Sequence, residues 1–148
     1  MEIIIVMVIV SITIGGSVFL LSNESSDEIQ TLPSEIEQLA KTSLSKAKLT
    51  KQTHYILISK SHLWISTNAE LAEPPPTATN KITLPANCSI GYKRSGETQW
   101  QWIKTNNDKA IWVFSVAGIC EEFSITLKVK QSSAELNFHP LTAAIIKP

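Results

Sequence analysis

The hydrophobic pattern divides the chain into three stretches of different period. From Ile3 to Leu21 the sequence is apolar and carries no charge, with a single carboxylate, Glu2, at its head. At ~1.5 Å rise per residue such a helix would reach roughly 28 Å, close to the ~30 Å hydrocarbon core of a bilayer, so the pattern predicts a long N-terminal apolar helix able to span a membrane. The polar run Ser22-Asn23-Glu24-Ser25-Ser26-Asp27-Glu28 then reads as a membrane exit and connector. Pro33 followed by Ser34-Glu35-Ile36-Glu37, a Ser-x-x-Glu capping box, predicts a second helix over 34–49. Its apolar positions Ile36, Leu39, Ala40, Leu44 and Ala47 fall at spacings of three and four.

Beyond this helix the period drops to two. Strands are predicted at Tyr55–Ile58, Leu63–Ile65, Lys81–Leu84, Cys88–Lys93, Thr98–Lys104, Ala110–Ser115, Phe123–Lys130 and Ala134–Phe138. The clearest alternation sets Phe123, Ile125, Leu127 and Val129 against Ser124, Thr126, Lys128 and Lys130, one buried face against one wet face. Pro74-Pro75-Pro76 marks a surface loop, and Ser95-Gly96 and Thr105-Asn106-Asn107-Asp108 mark turns. The expected fold class is α+β: the long apolar helix, a second short helix, then an antiparallel sheet or small β-sandwich. The expected organisation is residues 1–22 as transmembrane or assembly helix, 23–33 as connector and 34–148 as one α+β domain.

Charge changes this picture little in sum and more in order. Thirteen basic and thirteen acidic residues cancel, which removes the electrostatic case for a nucleic-acid surface. They are sorted, however: Glu24, Asp27, Glu28, Glu35 and Glu37 precede Lys41, Lys46, Lys48 and Lys51. Acids at a helix head and bases at its tail complement the helix dipole.

Candidate chemistry is sparse. His54, His62 and His139 have no metal-site spacing and read as surface or turn histidines. No nucleophile elbow, phosphate loop or calcium loop is present, so no enzyme activity and no cofactor or metal are expected. Glu121-Glu122 read as solvated neighbours on a turn rather than an acid and base pair. Trp100 and Trp102 share one side of a strand and read as core or subunit interface, with a ligand platform as the alternative. Cys88 and Cys120 could pair in an oxidising compartment, closing a loop of about thirty residues for roughly 3 to 4 kcal/mol. As free thiols they would be small buried apolar side chains, and the spacing leaves both readings open. Gly15-Gly16 is either neutral in a membrane helix or a point where it bends. Glu2 in hydrocarbon would cost ~2.5 kcal/mol or more without a partner.

Met1-Glu2-Ile3-Ile4-Ile5-Val6, with Ser11 further on, resembles the N-terminal region of type IV pilins and type II secretion pseudopilins. Trp112-Val113-Phe114-Ser115-Val116-Ala117-Gly118 and Leu136-Asn137-Phe138-His139-Pro140-Leu141-Thr142 are similar to the H-type minor pseudopilin and FimT-type domain, with Ala143 where glycine is common. The basic leader, cleavage glycine and aromatic first residue of that family are not in the sequence, so the resemblance implies a leader ahead of Met1 that prepilin peptidase would remove. It also implies a bacterial inner-membrane protein with a periplasmic domain, built with other pseudopilins or pilins into a filament. Glu2 would then neutralise the N-terminal amine of a neighbouring subunit. The alternatives are a FimT-type minor pilin in DNA uptake, for which the C-terminal Leu141 to Pro148 offers only Lys147, and an unrelated anchored periplasmic binding module using Trp100 and Trp102.

Overall fold

A computed structural model describes residues 30–70, 73–75, 78 and 80–146. The chain divides into two compact units between Leu32 and Pro33. Glu2, Gly15-Gly16 and the apolar run Ile3–Leu21 lie outside the described residues.

The expected fold class is corrected. Among the described residues there is one helix, α1 (residues 30–50), and it is not long and apolar enough to cross a membrane. After it come two four-stranded antiparallel sheets, so the described chain is mostly β rather than a long N-terminal helix followed by a sheet or small sandwich. The reason lies in the period-two segments: they pair as two separate sets, and each sheet needs the other to bury its apolar face.

The first sheet has the order β3 (Lys81–Thr83), β2 (His62–Ser66), β1 (His54–Ile58), β6 (Ala110–Phe114). The second has the order β5 (Gln101–Trp102), β4 (Cys88–Arg94), β7 (Phe123–Val129), β8 (Ser132–Asn137). Register fixes which side chains share a face. Ile56 stands opposite Trp112 and Ile65, and Leu57 opposite Ile111 and Trp64. Trp112 meets the second sheet, its ring 5.2 Å from Phe123 and 4.7 Å from Phe138. Leu57 and Trp64 point the other way yet are also fully buried. Among the described elements the one with a buried stripe left to cover them is α1, through Ile36, Leu39, Ala40, Ser43, Leu44 and Ala47. The layers are helix, sheet, sheet, and the outer face of the second sheet is wet.

Local departures have local causes. Helix α1 is already formed at residue 30, and Pro33 lies inside it. The capping box therefore does not start the helix, and Glu37 instead pairs with Lys41 at 2.6 Å. The predicted strand Thr98–Lys104 shrinks to β5, flanked by turns that side-chain carboxylates hold. The Glu97 carboxylate accepts from Arg94 N at 2.9 Å and Gln101 Nε2 at 2.7 Å, and Asp108 accepts from Lys104 N at 3.2 Å and Thr105 N at 3.0 Å. Those backbone bonds hold Asp108 below the usual carboxylate range.

His54 ties α1 to β1. Thr50 donates its hydroxyl to Lys46 O at 2.8 Å, so the 3.0 Å contact of Thr50 Oγ1 with His54 Nε2 needs the hydrogen on Nε2. Nδ1 is then a bare buried acceptor. Burial, and secondarily Lys46, lower the pKa of His54. The unfolded chain binds the proton better, so stability is full above the ordinary histidine value of about 6.5 and falls as pH drops through the lower folded value. Urea unfolding at pH 7.5 and 5.0 should show a loss of stability at the lower pH that is smaller in His54→Gln.

Candidate functional site

The pleat of β4 and β7 sends Ser89, Gly91, Lys93, Ser124, Thr126 and Lys128 to the outer face of the second sheet, because Cys88, Ile90, Ile125 and Leu127 are the buried partners of the alternation. Gly91 stands opposite Trp102 on one side and Thr126 on the other, and Thr126 opposite Glu135. Trp102 lies across Gly91: a Cβ there would come within 3.0 Å of Thr126 Cγ2 and 3.1 Å of Trp102 Cε3. The glycine makes room for the indole. Lys128 Nζ sits 4.8 Å from the Trp102 ring centre, and Lys93 Nζ 4.8 Å from that of Trp100. Both indoles are half-buried rather than core. They form a platform of two rings and two ammonium groups, bordered by Thr126, Glu135 and the Ser124 to Asn137 hydrogen bond of 2.6 Å. Each exposed cation and ring contact contributes about 0.5–1 kcal/mol. Stacking and charge are the interactions such a surface offers, and no nucleophile sits beside a base in it.

Gly91→Val should lift Trp102 off the sheet. The expected result is a red-shifted tryptophan emission and a loss of about 1–3 kcal/mol in urea unfolding, as overpacking beside a fixed ring requires. An unchanged spectrum would contradict the seating of the ring.

The other expected residues fall apart in space. Cys88 and Cys120 are free, buried thiols. Cys88 pairs across from Val129 at one end of the β4 and β7 pair, whereas Cys120 precedes Phe123, which stands opposite Arg94 at the other end. Six residue steps separate those ends, roughly 20 Å of strand, against the ~7 Å limit for a disulfide. In this structure the two cysteines stand as separate thiols. Burial pushes the Cys120 thiol up to about 11 and raises that of Cys88, which suits packing and not nucleophilic attack.

Glu121 and Glu122 diverge. Glu121 faces Arg94 at 3.6 Å, while Glu122 accepts from Ser95 Oγ at 2.6 Å. Arg94 also donates to Ile111 O at 3.1 Å, strapping the two sheets together at one edge. His139 Nδ1 accepts from Leu141 N at 3.2 Å and so organises a turn. His62 contacts Ser61 Oγ at 2.8 Å beside a cavity of about 300 Å3 lined also by Ser59, Glu73 and Lys81. Burial, then Lys81, lowers the pKa of His62 against the opposing pull of Glu73. Ser61 and His62 are chain neighbours, a local contact and not the separate nucleophile, base and orienting group of acyl transfer. No group of three His, Cys, Asp or Glu able to hold a metal is present among the described residues.

Lysines 93 and 128 are the participants that sequence reasoning missed. The alternation of β7 puts Lys128 on the wet face, but only the register of β5 on β4 brings the tryptophans to it. Compared with protein-family models, curated proteins and solved structures, the chain matches none.

Proposed function

We propose that the chain is a structural subunit of a type IV filament family machine, a minor pseudopilin of the type II secretion kind. The apolar run Ile3–Leu21 would engage the bacterial inner membrane and neighbouring subunits, with the domain from Pro33 onward in the periplasm. The observation that carries this reading is Glu2 at the head of a charge-free apolar run, because a carboxylate there needs a cationic partner. Exchanging lipid for neighbouring apolar segments changes little in hydrophobic energy, so packing and the Glu2 pairing decide association. In that role the protein is a part and not a catalyst, and its partners are other pilins or pseudopilins.

The platform of Trp100, Trp102, Lys93 and Lys128 favours a second reading, an anchored binding module. Expression of the tagged full chain in a bacterium with a type II system separates them. The first reading expects the chain in the membrane and in mechanically sheared filaments, with Trp100→Ala/Trp102→Ala leaving both unchanged. Its absence from sheared material, with function lost in the tryptophan variant alone, would favour the module. Tight, salt-sensitive DNA binding in a mobility-shift assay would move the assignment to a DNA-uptake minor pilin.

A further inference from the structure

One pole of the domain collects apolar side chains that the fold leaves in solvent. Of the large hydrophobic residues exposed among the described residues, Leu49 is 82% exposed, Leu141 57%, Val116 46% and Ile119 45%. The backbone brings these four together. Lys48 of α1 lies against Gly118, whose positive φ of 77° closes the turn carrying Val116 and Ile119; a Cβ there would clash with the Lys48 stem. Cys120 N donates to Pro140 O at 2.8 Å, which sets Leu141 beside that turn. Helix end, β6 to β7 turn and post-β8 turn thus meet at one place. Scattered exposed hydrophobics need no explanation, but a contiguous set marks an interaction site.

Lys46, Lys48 and Lys51 at the end of α1 border this pole, while the Glu121 next to Cys120 is held by Arg94. The complementary charge is in the same chain, in Glu24, Asp27, Glu28 and Glu35. We infer that this pole docks the acidic segment 24–35 of a second copy of the chain, head to tail. A pole against pole contact would oppose lysines to lysines, whereas pole against acidic segment pairs opposite charges over an apolar centre. Because the two surfaces differ, the contact is heterologous; repeated, it yields an open filament unless the rotation closes a ring. The inference rests on the filament reading only for what the repeated contact builds.

The test uses full-length protein in detergent, with Leu49→Cys in one tagged population and Asp27→Cys in another. Mixing under mild oxidation should give the mixed disulfide dimer, weakened by 0.5 M salt because exposed charges are screened. Adding Lys48→Glu/Lys51→Glu to the first population should lower the yield at least tenfold, and Glu24→Lys/Glu28→Lys in the second should restore it. An unchanged urea midpoint shows that each variant is folded. A Leu49→Cys homodimer in preference to the mixed dimer, or a yield indifferent to charge reversal, overturns the inference. Sheared-filament recovery of the wild-type chain reads the filament reading separately, so either can fail alone.

Discussion

Replacing Trp112 by alanine will lower the unfolding free energy of the domain by about 3–5 kcal/mol, the largest loss expected of any single side chain here. Trp112 is fully buried on β6, in register with Ile56 of β1, and its ring centre lies 4.7 Å from Phe114 and Phe138 and 5.2 Å from Phe123. It is where the two sheets meet. Its removal leaves a cavity between layers that cannot collapse without moving a whole sheet. It also strips the Nε1 donor from Glu121 O, a 2.9 Å bond, next to the Arg94 strap. Domains of this size have only about 5–15 kcal/mol to lose. Trp112→Phe keeps most of the ring and loses the hydrogen bond, so about 1 kcal/mol plus a smaller packing loss is expected. Urea unfolding followed by far-UV circular dichroism checks both. Equal losses in the two variants would place the effect in the hydrogen bond and contradict the ring stack as the sheet-to-sheet anchor.

Glu2→Ala will reduce incorporation into filaments at least tenfold while leaving the unfolding of the domain unchanged. In the proposed assembly the carboxylate at the head of the apolar run enters hydrocarbon, where an acid costs ~2.5 kcal/mol or more at mid-bilayer, and a cation offsets that cost. In the proposed assembly that cation is a neighbour's N-terminal amine, so alanine removes the pairing energy without touching the unit that begins at Pro33. Glu2→Gln keeps size and hydrogen-bonding but not charge and should behave like alanine; Glu2→Asp should retain part of the incorporation. Recovery of each variant in sheared filaments is the measurement. Incorporation of Glu2→Gln at the wild-type level would show that no ion pair at Glu2 drives assembly.

Strand positions were legible wherever one face is wet. The alternation of β7 runs Phe123, Ile125, Leu127, Val129 inward in the structure as the residues suggest. The exception is Thr126: its position is on the wet face, yet it is buried, beside the Gly91 that Trp102 lies across. Strand partners were not legible, since register is a long-range property. Adjacent strands in sequence split between sheets, β3 to the first and β4 to the second. The same blindness left the cysteines open, because a span of residues says nothing of which ends of a strand pair they occupy. Trp100 and Trp102 read as core or interface, and the structure sets them half-buried on the outer face under lysines that sequence spacing could not associate with them. The helix start was misjudged because the Ser34 and Glu37 pattern is equally consistent with the interior pair Glu37 and Lys41. The chain ahead of residue 30, where Glu2 lies, is outside the described residues.

Membership of a filament is the central claim, and site-specific photocross-linking tests it most directly. A photoreactive phenylalanine analogue placed at Ile5 of the full chain should, on irradiation of intact cells, give discrete adducts with pilin or pseudopilin subunits that vanish in the Glu2→Ala background. Adducts with lipid alone, unchanged by Glu2→Ala, would contradict it.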